Sequence, residues 1–346
     1  MLMQPLRKFL PSVATADGAV SADALEGGPG RTTGDLARSF MLRYAIVVVL
    51  IALAIVSDIL YPGFFEIGNL RNILSQNAPV GLVAIGMTFV MIAGGFDLSV
   101  SAVFALGGVL FASFSGHMPI LLALLLVLAI GVVAGAINGA IITRLQVNPF
   151  VATLGSASVF SGLAYLYSHS TPIVPTKSSF LNLGTNNFLG VPISILIFFA
   201  VFAIGAVVLA KSVYGRSVFA VGGNAEAARL AGIRVGTIRF STYMLTGFCA
   251  ALAGMIIASR TGVGQADVGA NITLDSIAMV IIGGTSLLGG EGAMWRTLVG
   301  ILILATINNL FDALALDTAA QQLVKGVIVI GAVALDSYTR RRHLVR

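Results

Sequence analysis

Residues 121–142 read LLALLLVLAIGVVAGAINGAII, 22 positions without a charged side chain. At about 1.5 Å per residue, a helix of that length clears a hydrocarbon core of about 30 Å. Inside lipid every backbone polar group must find a partner within the protein, which leaves helices and closed barrels as the spanning structures. A barrel would need shorter segments of alternating polarity, and this run does not alternate. Similar runs recur near 41–60, 76–94, 98–115, 119–142, 149–168, 192–211, 238–259, 272–288, 295–312 and 318–337. The expected fold is all-α: a polytopic integral membrane protein of about ten transmembrane helices.

Composition agrees. Hydrophobic residues make up 57% and charged residues 10%, against about 25% charged in soluble domains, and mean hydropathy is +0.98. The net charge of +6 does not call for nucleic acid, because the basic residues flank the apolar runs. With the N-terminus inside, sixteen Lys and Arg fall on inner segments, against Arg71, Lys177 and Arg260 outside. Lys325 is left within the membrane. That asymmetry places both termini in the cytoplasm.

Residues 1–40 are rich in Gly, Ala, Ser, Thr and Asp and read as a disordered cytoplasmic tail. No cleaved signal peptide is expected, so the run near 41–60 is retained as an anchor. The transmembrane domain covers 41–338, with a long inner loop near 212–237, and a basic cytoplasmic tail follows at 339–346. The lone Cys249 excludes an intrachain disulfide.

Enzymatic signatures are missing. None of the four lysines follows a glycine, so there is no Walker A loop. His117, His169 and His343 are scattered and lack metal-site spacing. The chain is expected to be neither an enzyme nor a metal protein.

Several polar residues within the spans need a reason, because a charge at membrane depth costs about 2.5–3.5 kcal/mol. In GGFDLSVS at 94–101, Gly94 and Gly95 end one helix, and Asp97 caps the next by accepting from amides near Ser99 and Val100. The same break can line a pathway. Asp275 suits the positive end of its helix. Lys325 sits about 10 Å into its span and calls for an ion pair or a polar cavity, with Asp275 or Asp312 as partner. Asn138, Asn308 and Asn309 offer amides to a polar path or to neighbouring helices. Gly131, Gly135 and Gly139 form a ridge without side chains, which suits close helix packing within the bundle or between subunits. VMIAGGFDLS at 90–99 and VIIGGTSLLGG at 280–290 look alike, as an internal repeat or by chance.

One stretch is polar. VGGNAEAARLAGIRVG at 221–236 reads as a short water-facing helix, with Asn224 as N-cap and Gly232 as the glycine that stops it. Ala225, Ala228 and Gly232 share one flat face that a partner can approach.

Five segments, in order, carry a resemblance. They are GGFDLSVSA at 94–102, NPFVATLG at 148–155, YGRSVFAVGGNAEAARLAGI at 214–233, LDSIAMVIIGGTSLLGG at 274–290 and QQLVKGVIVIGAVALD at 321–336. Over roughly 41–338 the chain resembles the permease subunit of bacterial ABC importers for ribose and related monosaccharides. Glu291, Arg296 and the first 40 residues depart from that pattern.

The resemblance implies a helix, carrying Gly223, Asn224, Ala227, Ala228, Arg229 and Gly232, that docks into a separate cytoplasmic ATPase. ATP and Mg would bind that partner, and no cofactor would bind this chain. It further implies a periplasmic sugar-binding protein and a second permease, identical or related, in the bacterial inner membrane. An ion-coupled secondary transporter using Asp97 and Asp275 is the alternative. A passive channel lacks a ring-forming selectivity motif.

Overall fold

The computed structural model describes residues 33–344. It divides at Tyr44 and Ala45; apart from the first turns of α1, the elements lie after that point. In chain order the elements are α1 (Thr33–Leu60), α2 (Ile67–Ile92), α3 (Val100–His117), α4 (Ile120–Arg144) and α5 (Pro149–Ser168). A 3-10 turn (Ser178–Leu181), α6 (Asn182–Thr185) and a two-residue hairpin of β1 (Asn187–Phe188) and β2 (Val191–Pro192) build the loop before α7 (Ile193–Lys211). Then come α8 (Val213–Gly223), α9 (Ala225–Leu230), α10 (Val235–Thr261), α11 (Ile272–Ile282), α12 (Met294–Ala313) and α13 (Thr318–Leu344). The disordered tail expected at 1–40 lies outside the described residues as far as 32, and α1 already runs from Thr33.

Among the described residues seven helices are long and apolar enough to cross a membrane: α2, α3, α4, α5, α7, α10 and α12. The apolar stretches Tyr44–Leu60 and Ile272–Ile282 are shorter. The ten expected spans therefore describe the helix order well and the helix lengths less well.

Helix α10 is the centre of the bundle and packs on α4, α3 and α2. Small residues let it do so, since lipid supplies no hydrophobic drive between helices and close backbone approach must replace it. The glycine ridge of α4 faces α10. A Cβ on Gly131 would lie 2.6 Å from the Gly247 carbonyl, one on Gly135 would lie 2.9 Å from Met244 Cα, and one on Gly139 would lie 3.0 Å from Phe240 Cα. All three glycines are buried within this chain, so the ridge packs the bundle internally. By contrast α4, α5 and α7 turn much of their surface outward, where apolar side chains meet lipid.

The eighth span differs most from expectation. Residues 272–288 are not one continuous helix: α11 stops at Ile282 after 11 residues, about 16 Å and half a hydrocarbon core. The other half of the crossing is non-helical chain before α11. Gly264 pairs with Ile173 of the long loop through two 2.9 Å hydrogen bonds. Further on, a Cβ at Gly269 would sit 2.8 Å from the Phe104 ring, and Thr273 Oγ1 donates to the Leu98 carbonyl at 3.5 Å. The segment thus runs down α3 before it becomes helical. Irregular backbone at this depth is tolerated where protein covers it or where it borders a cavity.

The two similar glycine segments are equivalent in structure. Gly94 N donates to Met91 O at 2.9 Å and Gly95 N to Val90 O at 2.9 Å. Correspondingly, Gly284 N donates to Ile281 O at 2.7 Å and Thr285 N to Val280 O at 3.2 Å. Gly94 (φ +78°) and Gly284 (φ +73°) occupy the same left-handed position, where a side chain is strained. Helices α2 and α11 therefore end in the same cap.

Candidate coupling and translocation site

The polar stretch between α7 and α10 forms two short helices. Ser212 caps α8 by accepting from Gly215 N at 3.0 Å, and Asn224 caps α9 by accepting from Ala227 N at 3.0 Å. Helix α9 closes on Gly232 (φ +84°), with Gly232 N bonded to Arg229 O and Ile233 N to Ala228 O, both at 2.9 Å. Start and stop are those read from the residues.

The face is not. Ala228 is 4% exposed, so the Ala225–Ala228 side is turned into this chain. Outward stand Ala227, Leu230 and Ala231, with Leu230 82% exposed. Glu226 and Arg229 are also exposed and pair with each other. A helix of six residues made largely of alanine carries too little periodicity to reveal its inner side, and the register set by α8 decides it.

Directly before α9 the chain meets both helix breaks. Gly222 lies so close to the Ile92 carbonyl that a Cβ would overlap it, and it would stand 2.6 Å from the Gly290 amide. A Cβ on Gly290 would stand 2.6 Å from Gly223 Cα, and one on Gly289 would stand 2.8 Å from Gly94 Cα. Gly290 N also donates to the Ile92 carbonyl at 2.9 Å. Bare backbone of α8, the α2–α3 break and the α11–α12 break thus touch at one junction. Sequence reasoning singled out Gly94, Gly95 and Gly223 but missed Gly222, Gly289 and Gly290 as contacts, although the paired glycines at 222–223 and 289–290 were the visible signal.

Asp97 is 1% exposed and accepts from Ser99 N at 2.9 Å and Ser99 Oγ at 2.6 Å. Asn138 on α4 donates to Ser99 Oγ at 2.7 Å and approaches Asp97 Oδ1 at 3.5 Å. Neighbours hold the break in place: Leu98 N donates to Thr153 Oγ1 at 3.1 Å, and Tyr243 OH donates to Phe96 O at 3.1 Å. Asp97, Ser99, Asn138, Thr153 and Tyr243 are all buried, so the cluster fixes the break where α3, α4, α5 and α10 meet. Asn138 Oδ1 has no hydrogen-bond partner among the described residues.

Lys325 on α13 reaches Asp275 on α11 at 3.6 Å, with the two side chains 22% and 17% exposed. Asp275 is therefore its partner. Asp312 instead receives a weak 3.4 Å bond from Gln321. The pair ties α13 to the half-helix α11, one turn after the exposed Asn271, whose carbonyl accepts from Asp275 N at 2.9 Å.

Asn308 and Asn309 hold helices together. Asn309 and Asn69 exchange amide hydrogen bonds at 2.9 and 3.2 Å, and Asn308 donates to Asn77 Oδ1 at 3.2 Å. The candidate residues thus fall into a junction under α9, a buried carboxylate cluster, an ion pair on the half-helix and an amide ladder between α2 and α12.

The model of the family described as branched-chain amino acid transport system / permease component matches residues 69–333. The chain belongs to this family. The permease is 43% identical over 291 residues to the ribose import permease protein RbsC of Bacillus subtilis, covering 83% of this chain and 90% of that protein. It is 37% identical over 310 residues to RbsC of Haemophilus influenzae, covering 88% and 96%. It is 35% identical over 307 residues to the L-arabinose transport system permease protein AraH of Escherichia coli, covering 86% and 92%. No solved structure matches the chain. The permease is a multi-pass inner-membrane protein and a transport subunit.

Proposed function

We propose that the permease forms the translocation path of an ABC importer for a monosaccharide, with ribose and other pentoses as first candidates. A cytoplasmic ATPase, which binds ATP and Mg, drives it, and a periplasmic sugar-binding protein delivers the substrate. Relatives named for ribose and L-arabinose support the substrate class.

The observation that carries the coupling role is the glycine junction. A short helix pair with an exposed leucine is joined by bare backbone contacts to the end of α2 and to the α11–α12 break. Force applied to α9 has a short, stiff route into the two breaks, because packed backbone does not deform continuously. The docking face is Ala227, Leu230 and Ala231 rather than Ala228.

With the α4 ridge consumed by α10, the surface for a second permease moves to α5. There Gly155, Ser158 and Gly162 stand exposed, and a Cβ on either glycine would meet nothing within 4 Å. The ion-coupled alternative loses ground on the same geometry, since Asp97 is held by Ser99 and Asp275 by Lys325. A strain deleted for this chain should lose high-affinity uptake of one labelled pentose and regain it on complementation. Unchanged uptake of every monosaccharide tested would overturn the substrate class.

A further inference from the structure

Beside α9 lies a cleft of about 580 Å³ that the transport reading leaves unused. It opens between the last turn of α4 and the first turns of α10, and Thr143, Gln146, Arg229, Arg234, Gly236 and Arg239 line it. Three guanidinium groups therefore border one space. The ion pairs found among the described residues are Arg229–Glu226 and Lys325–Asp275, which leaves Arg234 and Arg239 without a carboxylate. Arg239 Nε is buried with no hydrogen-bond partner among the described residues. The Thr143 hydroxyl is committed to the Gly139 carbonyl and one N–H of Gln146 to the Thr143 carbonyl. The donors facing the cleft are therefore the two guanidinium groups without a carboxylate and the second N–H of Gln146, a set suited to phosphate oxygens.

The surroundings indicate where the phosphate comes from. Leu145 is 70% exposed, Phe150 56% and Val151 61%, and they follow Thr143 directly where α4 turns into α5. An apolar rim continuous with the lipid-facing surfaces of α4 and α5 adjoins the basic cleft. Basic pockets between transmembrane helices at the membrane surface bind anionic headgroups. We infer that this cleft binds the phosphate of an anionic phospholipid, with the acyl chains along α4 and α5. The bound lipid would brace the start of α10, the helix at the centre of the bundle.

Native mass spectrometry of the full-length permease, purified with added phosphatidylglycerol or phosphatidylcholine, tests this independently of transport. Phosphatidylglycerol should be retained and phosphatidylcholine lost, and retention should fall as ionic strength rises. Arg234→Gln with Arg239→Gln should weaken retention by about five-fold for each arginine, while Arg234→Lys with Arg239→Lys should keep most of it. Arg234 is exposed, so Arg234→Gln alone provides a variant whose folding is not at stake. Equal retention of phosphatidylglycerol by the parent and by Arg234→Gln, or equal retention of the two lipids, would overturn the site. Inorganic phosphate that displaced the lipid at equal concentration would overturn the membrane as its source.

Discussion

Substituting Gly222 by alanine adds one methyl group at the junction of α8 with both helix breaks. That methyl would stand 2.6 Å from the Gly290 amide and would overlap the Ile92 carbonyl. Ordinary contact begins at 3.4 Å, so the backbone must part by about 0.8 Å on the Gly290 side alone. Overpacking of this kind costs about 1–3 kcal/mol. Weakening the 2.9 Å bond from Gly290 N to Ile92 O adds about 1 kcal/mol. A total of about 2–4 kcal/mol is a large share of a typical folding stability but leaves most of the bundle untouched. Gly222→Ala should insert and accumulate, melt several degrees lower in detergent, and lose most sugar-stimulated ATP hydrolysis when assembled with its ATPase. Gly223→Ala is the matched control, because its added Cβ would meet only Gly290 Cα at 3.9 Å, and it should behave as the parent does. Parental melting temperature and parental stimulation in Gly222→Ala would refute the junction as a rigid connection.

Other expectations follow from the same geometry. Leu230→Glu should leave folding intact, since the side chain is 82% exposed, while ATPase copurification falls about tenfold or more, as expected for loss of a buried leucine anchor. Ala228→Glu, at a 4% exposed site, should instead lower the yield of folded protein, measured by size-exclusion profile. Lys325→Leu and Asp275→Leu should each reduce uptake more than the double variant does, with a coupling of about 0.5–3 kcal/mol in a double-mutant cycle on melting. Asn138→Leu removes the donor to Ser99 Oγ, and a loss of about 1–3 kcal/mol should appear as a lowered melting temperature.

What the residues disclosed follows the range of the forces involved. The cap at Asn224 and the stop at Gly232 are local backbone chemistry, and they were legible. A lysine at membrane depth announces its need for a counter-ion because the cost of leaving it alone is high, yet only packing chooses Asp275 over Asp312. The broken eighth span was hidden, because hydropathy over 272–288 reports how apolar a segment is and not whether it is helical throughout. Asn308 and Asn309 remained open between a path and helix contacts because Asn77 and Asn69 lie far away in sequence. Ala228 pointed the wrong way for a similar reason: a six-residue helix of small side chains has its inner face assigned by its neighbours.

The central claim, a sugar path powered by a separate ATPase, is tested most directly in sealed proteoliposomes. The permease is reconstituted with its ATPase, the sugar-binding protein is placed outside, and ATP and Mg are enclosed within. Labelled pentose should accumulate only when all three proteins and enclosed ATP are present, and an imposed proton or sodium gradient should not replace ATP. Accumulation by the permease alone under an ion gradient, with no requirement for the ATPase, would contradict it.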